Sequence, residues 1–300
     1  PYKIASYGDF AEIAKNTMAH YELVADLDAS GHKLPAITGQ FTGSLNGNGH
    51  TISGITTANG SIFSSLGNGA VVSDIKFVGA TMENPSSTTG FIANMATGAK
   101  VTDIHVYGLA IDNADADCTF GGLVGLAALN TFIYNSSISS ANINLPKAYG
   151  LGGIAGQLRT GATVSACSFS GAINAESEVG GIVGQQDADG SIFNCHVDAD
   201  ITAMNTIGGI VGNSAGAVIE KCYVEGSIKA NGSTSSYNDN GPCAGGLVGS
   251  LNARFSTGAD GSQTVNSEKI IKNNFVNLSS LEGYTPTTPE RWPNQQNTLH

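Results

Sequence analysis

One pentapeptide, repeated five times, constrains this chain more than any bulk property does. Gly121-Gly122-Leu123-Val124-Gly125 recurs as Gly152-Gly153-Ile154-Ala155-Gly156, Gly180-Gly181-Ile182-Val183-Gly184, Gly208-Gly209-Ile210-Val211-Gly212 and Gly245-Gly246-Leu247-Val248-Gly249. The copies start 31, 28, 28 and 37 residues apart, and degenerate copies precede them at Gly90-Phe91-Ile92-Ala93 and Ser61-Ile62-Phe63-Ser64. Self-similarity at periods of about 20 to 50 residues marks solenoids and propellers. A second block follows each copy, as in Val72-Ser73-Asp74-Ile75-Lys76-Phe77, Val101 to Val106, Ile133 to Ile138, Val164 to Phe169, Ile192 to Val197, Ile219 to Val224 and Ile271 to Val276. Its first and sixth positions are apolar throughout. Its fourth holds Ile75, Ile104, Ser136, Cys167, Cys195, Cys222 and Asn274. A third segment contributes Met82, Ile111, Ile143, Ile173, Ile201 and Ile228.

Each copy therefore has three short apolar strands in a fixed order. Propeller blades carry four antiparallel strands over about 40 residues, whereas a copy of this length suits one coil stacked on the next at about 4.8 Å. The expected fold is all-β: a right-handed parallel β-helix, or β-solenoid, with a short N-terminal capping helix. In the second block, positions four and six alternate inward, but position one is out of phase with them. That requires a bend at position three, where Asp74, Asp103, Asn135, Asn194 and Asn273 tolerate left-handed backbone. The paired glycines fit either a positive φ or a close approach of backbones.

A solenoid must cover its ends. Residues 1–40 are expected to form the N-terminal cap, with a helix capped by Ser6 or Asp9 running to about Thr17, Phe10, Ile13 and Ala14 on one face, and a strand from Tyr21 to Leu27. Coils are expected over 41–282, with insertions at 231–243 and 254–268, followed by an irregular tail at 283–300.

Composition narrows function. A net charge of -11 with only 13 Lys and Arg disfavours nucleic acid, and no window approaches the roughly 20 apolar residues of a membrane span. The start at Pro1, without a signal-peptide pattern, reads as a mature or excised soluble segment. Five Cys cannot all pair, and none lies in C-x-x-C spacing.

The later copies, Phe193-Asn194-Cys195-His196-Val197 and Ile219-Glu220-Lys221-Cys222-Tyr223-Val224-Glu225-Gly226, together with the opening Phe41 to Ile52, resemble the GLUG-motif family over about residues 2–277. The resemblance implies bacterial surface proteins, including β-helical segments beside immunoglobulin A metallopeptidases and in adhesins, and so an extracellular or cell-surface location.

Catalytic signatures are weak. None of His20, His32, His50, His105, His196 and His300 forms His-Glu-x-x-His, which a zinc peptidase needs for two ligands and a base on one helical face. Gly212-Asn213-Ser214-Ala215-Gly216 matches the nucleophile-elbow spacing without a following helix, and Gly150 to Ala155 is a repeat copy that merely fits a dinucleotide fingerprint. Asp74 and Asp103 fall at equivalent places on neighbouring coils, where a retaining glycosidase would need its carboxylates about 5 Å apart; bend formation is the competing role. Outward neighbours Lys76, His105, His196 and Tyr223 are placed to touch a glycan, or are simply a solvated face. Asp187-Ala188-Asp189-Gly190 and Asp112 to Asp117 offer oxygens for Ca²⁺ without an EF-hand loop, so no cofactor is called for and Ca²⁺ is the alternative. Cys167, Cys195 and Cys222 read as small buried residues.

The expected function is a non-catalytic surface or secreted binding module whose partner is a glycan or host extracellular protein, with candidate contacts Asp74, Asp103, His105, His196 and Tyr223. The alternatives are a polysaccharide hydrolase acting on the outer face and a passive stalk.

Overall fold

A computed structural model of the chain describes residues 1–232, 243–251, 255–257, 263–265 and 271–282. The fold is a parallel β-solenoid with one short helical segment at its N-terminus. The coils build three sheets: a long sheet of 21 strands, an eight-stranded sheet, and a six-stranded sheet, made of strands only two or three residues long, to which the first coils do not contribute. Among the described residues the pairing between coils is parallel, and the antiparallel pair is Phe255–Thr257 with Gln263–Val265. That hairpin lies within the insertion expected at 254–268; most of the 231–243 insertion and the tail at 283–300 lie outside the described residues.

The register follows the repeat. The first positions of the second block stack as Leu45, Val72, Val101, Ile133, Val164, Ile192, Ile219 and Ile271. The sixth positions stack as Ile52, Phe77, Val106, Ile138, Phe169, Val197, Val224 and Val276. From Leu45 to Ile219 and from Ile52 to Val224, every member of the two columns is buried. Between them, from the Val72 coil onward, the third position turns through left-handed backbone, with φ between 47° and 57° at Asp74, Asp103, Asn135, Ala166, Asn194, Lys221 and Asn273. Five of these are Asp or Asn, which accept that conformation readily, whereas Ala166 and Lys221 take it at a cost of about 1–2 kcal/mol each. Several of these bends carry a second tie. The fourth-position heteroatom donates to the carbonyl two residues back, from Ser136 Oγ to Tyr134 O (2.9 Å), Cys167 Sγ to Ser165 O (3.3 Å) and Cys195 Sγ to Phe193 O (3.2 Å).

The paired glycines are set by close approach, not by φ, since none of them has positive φ. A Cβ on Gly180 would lie 2.1 Å from Val183 O, and one on Gly181 would lie 2.5 Å from both Gly209 O and Val197 Cγ1. The third glycine serves a different contact: a Cβ on Gly184 would lie 2.4 Å from the carbonyl carbon of Gly150 in the coil before it. The pentapeptide thus folds the backbone back on itself and keeps adjacent coils in register, while Ile182 and Val183 fill the interior.

At the N-terminal end, helix α1 (Tyr7–Ala11) is capped by Ser6, whose hydroxyl accepts from Asp9 N, and runs into a 3₁₀ turn at Glu12–Lys15. Phe10 and Ile13 are buried as expected; Ala14 is exposed, because the tighter turn changes the helical phase after Ala11. The segment Tyr21 to Leu27 forms two strands, His20–Leu23 and Leu27–Asp28, rather than one. Tyr2–Ile4, His20–Leu23 and Ser44–Asn46 pair in succession, so parallel rungs continue through this region. Among the described residues no helix is long and apolar enough to cross a membrane.

Candidate functional site

The outer side of the long sheet is built from the residues that alternate with the buried columns. The fifth position of the second block runs Thr51, Lys76, His105, Ser137, Ser168, His196, Tyr223 and Phe275 up the stack. Unlike the inner columns it changes character from coil to coil. Three of the five residues singled out from sequence, His105, His196 and Tyr223, belong to this one column. Asp74 and Asp103 stand apart from it, at the left-handed bends of adjacent coils.

At the C-terminal end the column is aromatic. The His196 imidazole stacks on Tyr223 with centroids 5.1 Å apart and planes 13° from parallel, and Tyr223 meets Phe275 at 5.3 Å and 32°. Glu225 ties the first two rings together: the Tyr223 hydroxyl donates to one of its carboxylate oxygens, and His196 Nε2 lies 3.7 Å from the other. The hydrogen bond to Glu225 holds the Tyr223 phenol above its usual pKa, because losing that proton would set two anions side by side. Asp198 and Asp200 are exposed beside His196 on the same strand. Phe275 is 57% exposed. It lies in the coil after the longest interval between repeats, and reading the fifth position as a column is the sequence signal that finds it.

The middle of the face is different. Ser137 and Ser168 follow His105 in the column, with Ser139 and Ser170 two residues further along the same strands. His105 Nδ1 lies 2.9 Å from Ser137 Oγ. Here the ladder slips: the pairing shifts register between Ile138 and Ala141, and Ser140 takes φ 53°. That is a β-bulge, a feature that re-aims side chains on one face of a sheet.

The remaining sequence candidates are engaged locally. Asp103 Oδ1 accepts from Asn135 Nδ2 at 2.6 Å, so the carboxylate braces the next bend. Asp112 accepts from Asn144 Nδ2 at 2.8 Å, and Asp115 pairs with Lys147 at 2.8 Å. Among the described residues no group of three metal-binding side chains gathers. Ser214, centre of the elbow-like motif, is buried and donates to Gln186 Oε1 at 2.8 Å. Cys167, Cys195 and Cys222 line the interior. Burial pushes the Cys167 thiol up to about 12, which keeps it protonated and unreactive.

A second polar cluster, not foreseen from sequence, gathers around Glu178, which is 8% exposed. Its carboxylate accepts from Tyr149 Oη (2.6 Å), Gln185 Nε2 (2.5 Å) and Asn213 Nδ2 (2.8 Å), and Gln157 Nε2 in turn donates to Gln185 Oε1 (2.6 Å). Desolvation, helped by the hydrogen bond to Glu178, pushes the Tyr149 phenol up to about 12. Its members come from segments about one coil apart, so no local motif announces it.

Comparison with known proteins places these coils. Residues 5–108 match the family described as the M26 IgA1-specific metallo-endopeptidase N-terminal region, and residues 175–202 and 205–229 match the GLUG motif. The matched M26 segment is an N-terminal region, not a catalytic domain. No curated protein matches. Among solved structures, the chain is similar to a candidate immunoglobulin A1 protease from Bacteroides ovatus, with 20% identity over 89% of this chain and 92% of that one and a TM-score of 0.61. It also aligns with an IgA1 protease at 17% identity, over 76% of this chain and 21% of that chain, with a TM-score of 0.44.

Proposed function

We propose that this chain, a parallel solenoid carrying GLUG motifs and an M26-type N-terminal segment, is a non-catalytic recognition module of an immunoglobulin A1 protease-like protein, displayed at the cell surface or secreted, and that it binds glycan through the outer face of its long sheet. One observation carries the reading: the fifth-position column brings imidazole, phenol and phenyl rings into contact, beside exposed carboxylates, on a rigid sheet. A pyranose has C–H groups on its faces and hydroxyls round its rim, so it pairs with ring faces and with carboxylate or hydroxyl acceptors at once. A sheet built this way holds such groups in place without ordering them on binding, which lowers the entropic cost of association.

The test is retention on an array of neutral and acidic oligosaccharides, with host immunoglobulin and other extracellular proteins as parallel probes. Retention of oligosaccharide, weakened about tenfold or more by His196→Ala, supports the reading. Retention of a host protein with no oligosaccharide bound would replace it with protein recognition. No retention by any probe would leave a stalk, and release of reducing sugar that is lost in Asp103→Asn would restore the hydrolase.

A further inference from the structure

The stacked rings have few free faces, and that locates the sugar. Tyr223 is covered on one side by His196 and on the other by Phe275. His196 keeps its second face, because the next residue down the column is Ser168, whose side chain is too small to cover an imidazole. Below Ser168 comes Ser137, and below that His105. The column therefore has two imidazoles three rungs apart with two serines between them. At about 4.8 Å per rung, their backbones are separated by about 14 Å; the His105 ring leans onto Ser137, with Nδ1 2.9 Å from its Oγ, so the open part of the trough is the two rungs from Ser137 to His196, about 10 Å between backbones and about 8 Å once the half-thickness of the His196 ring is removed. This width admits a pyranose edge-on, or two linked residues across the strands.

The floor of this trough is hydroxyl-rich. Ser137, Ser168, Ser139 and Ser170 are all partly exposed, and each can donate and accept. The β-bulge at Ser139–Ser140 lies in the same floor, and the chain accommodates it through Gly171, where an added Cβ would lie 2.3 Å from Ala141 O. Tyr107, 59% exposed, flanks the His105 wall, and Asp198 flanks the His196 wall. Glu225 stands beside that ring, its Oε2 3.7 Å from His196 Nε2.

We infer that the trough between His105 and His196 is a saccharide subsite that takes an uncharged pyranose and rejects acidic sugars. The inference rests on the glycan reading above and makes it specific. The open face of His196 covers the C–H face of the sugar, the serine hydroxyls meet its rim, and Asp198 accepts from its hydroxyls, while Asp200, further along the strand, already holds the Ser227 hydroxyl and adds only charge. The same carboxylates repel a uronate or sialate, and so does the net charge of -11.

The experiment is calorimetry on the full chain with chito-, cello- and galacto-oligosaccharides as neutral probes and oligogalacturonate as the acidic one. Three variants accompany it. Ser168→Tyr fills the trough with a residue type the column already holds at Tyr223, Ser137→Tyr fills it from the other wall should the first variant not fold, and Met95→Ala alters the exposed side of the eight-stranded sheet. A neutral probe is expected to bind the parent and Met95→Ala alike, with affinity at least tenfold weaker in the filled variants and at least tenfold weaker for oligogalacturonate. Neutral binding that survives filling of the trough would overturn the subsite and leave the glycan reading standing elsewhere on the face. Equal binding of oligogalacturonate would overturn the charge selection, and absence of binding by every probe would overturn both.

Discussion

The inner and outer columns of the long sheet are carried by the same strands, one residue apart, and obey different rules. The sixth position is apolar in every coil from Ile52 to Val276, because each member touches the same neighbours above and below in a closed interior. The fifth, from Thr51 to Phe275, changes from hydroxyl to cation, imidazole, serine and aromatic ring. The fold needs the first column and is nearly indifferent to the second. Uniformity therefore reports packing, and the variation beside it marks where recognition can be installed without touching the core.

That contrast can be broken most severely at the glycines. Gly181→Val would drive a side chain into Gly209 O and Val197 Cγ1, and we expect it to cost roughly 3 kcal/mol or more, or to prevent folding. Denaturant unfolding checks this; a variant within about 1 kcal/mol of the parent would show that the doublet is not a packing requirement. Phe169→Ala, on the inner column, should cost about 3–5 kcal/mol, while its outward neighbour Ser168→Ala should stay within about 0.5 kcal/mol. Equal effects at the two positions would erase the distinction between the columns.

The bends sharpen it. Ala166 holds φ 53° where most other coils have Asp or Asn, so Ala166→Asn should raise stability by about 0.5–1 kcal/mol in thermal unfolding. Tyr149 is an outward residue that behaves like an inner one. Its folded pKa of about 12 lies above the ordinary 10.0, so the neutral phenol is the form the fold favours. This contribution is complete below pH 10 and is lost as pH rises through about 12. Ultraviolet titration of the parent against Tyr149→Phe should assign the latest-ionising phenolate to this residue; if the difference spectrum develops near pH 10, the Glu178 cluster is not closed. Tyr223→Ala removes two ring contacts and the hydrogen bond to Glu225 from the outer face and should cost about 1 kcal/mol in thermal unfolding, well below the inner-column Phe169→Ala.

Much of this was legible in the sequence, for a physical reason. A parallel solenoid converts period into contact, so residues about 28 apart become neighbours and the inner ladders can be read by alignment alone. Asp74 and Asn194 announced their left-handed bends because their side-chain chemistry suits them. Ala166 and Lys221 did not, and their bends follow from the apolar phase on either side. The glycine doublet was visible, but its cause was not, since sequence does not separate a positive φ from a carbonyl 2.1 Å from an absent Cβ. His105 and His196 read from the repeat only as two of four outward neighbours, with Lys76 and Tyr223. Only their shared column, with Ser137 and Ser168 between them, makes them opposite walls. The Glu178 cluster stayed hidden because Tyr149, Glu178, Gln185 and Asn213 meet through turns and strands whose polar residues look like ordinary solvated positions.

The central claim, that the outer column is a sugar-binding surface centred on the serine trough, is tested most directly by following the histidine ring resonances while a neutral oligosaccharide is titrated in. His20 and His50 are built-in references, the first bonded to Ser44 and the second to Asp26, on coils nearer the N-terminus. Saturable shifts are expected at His105 and His196 together, with His20 and His50 unmoved. Shifts confined to His20 or His50, or uniform across all the histidines, would contradict it.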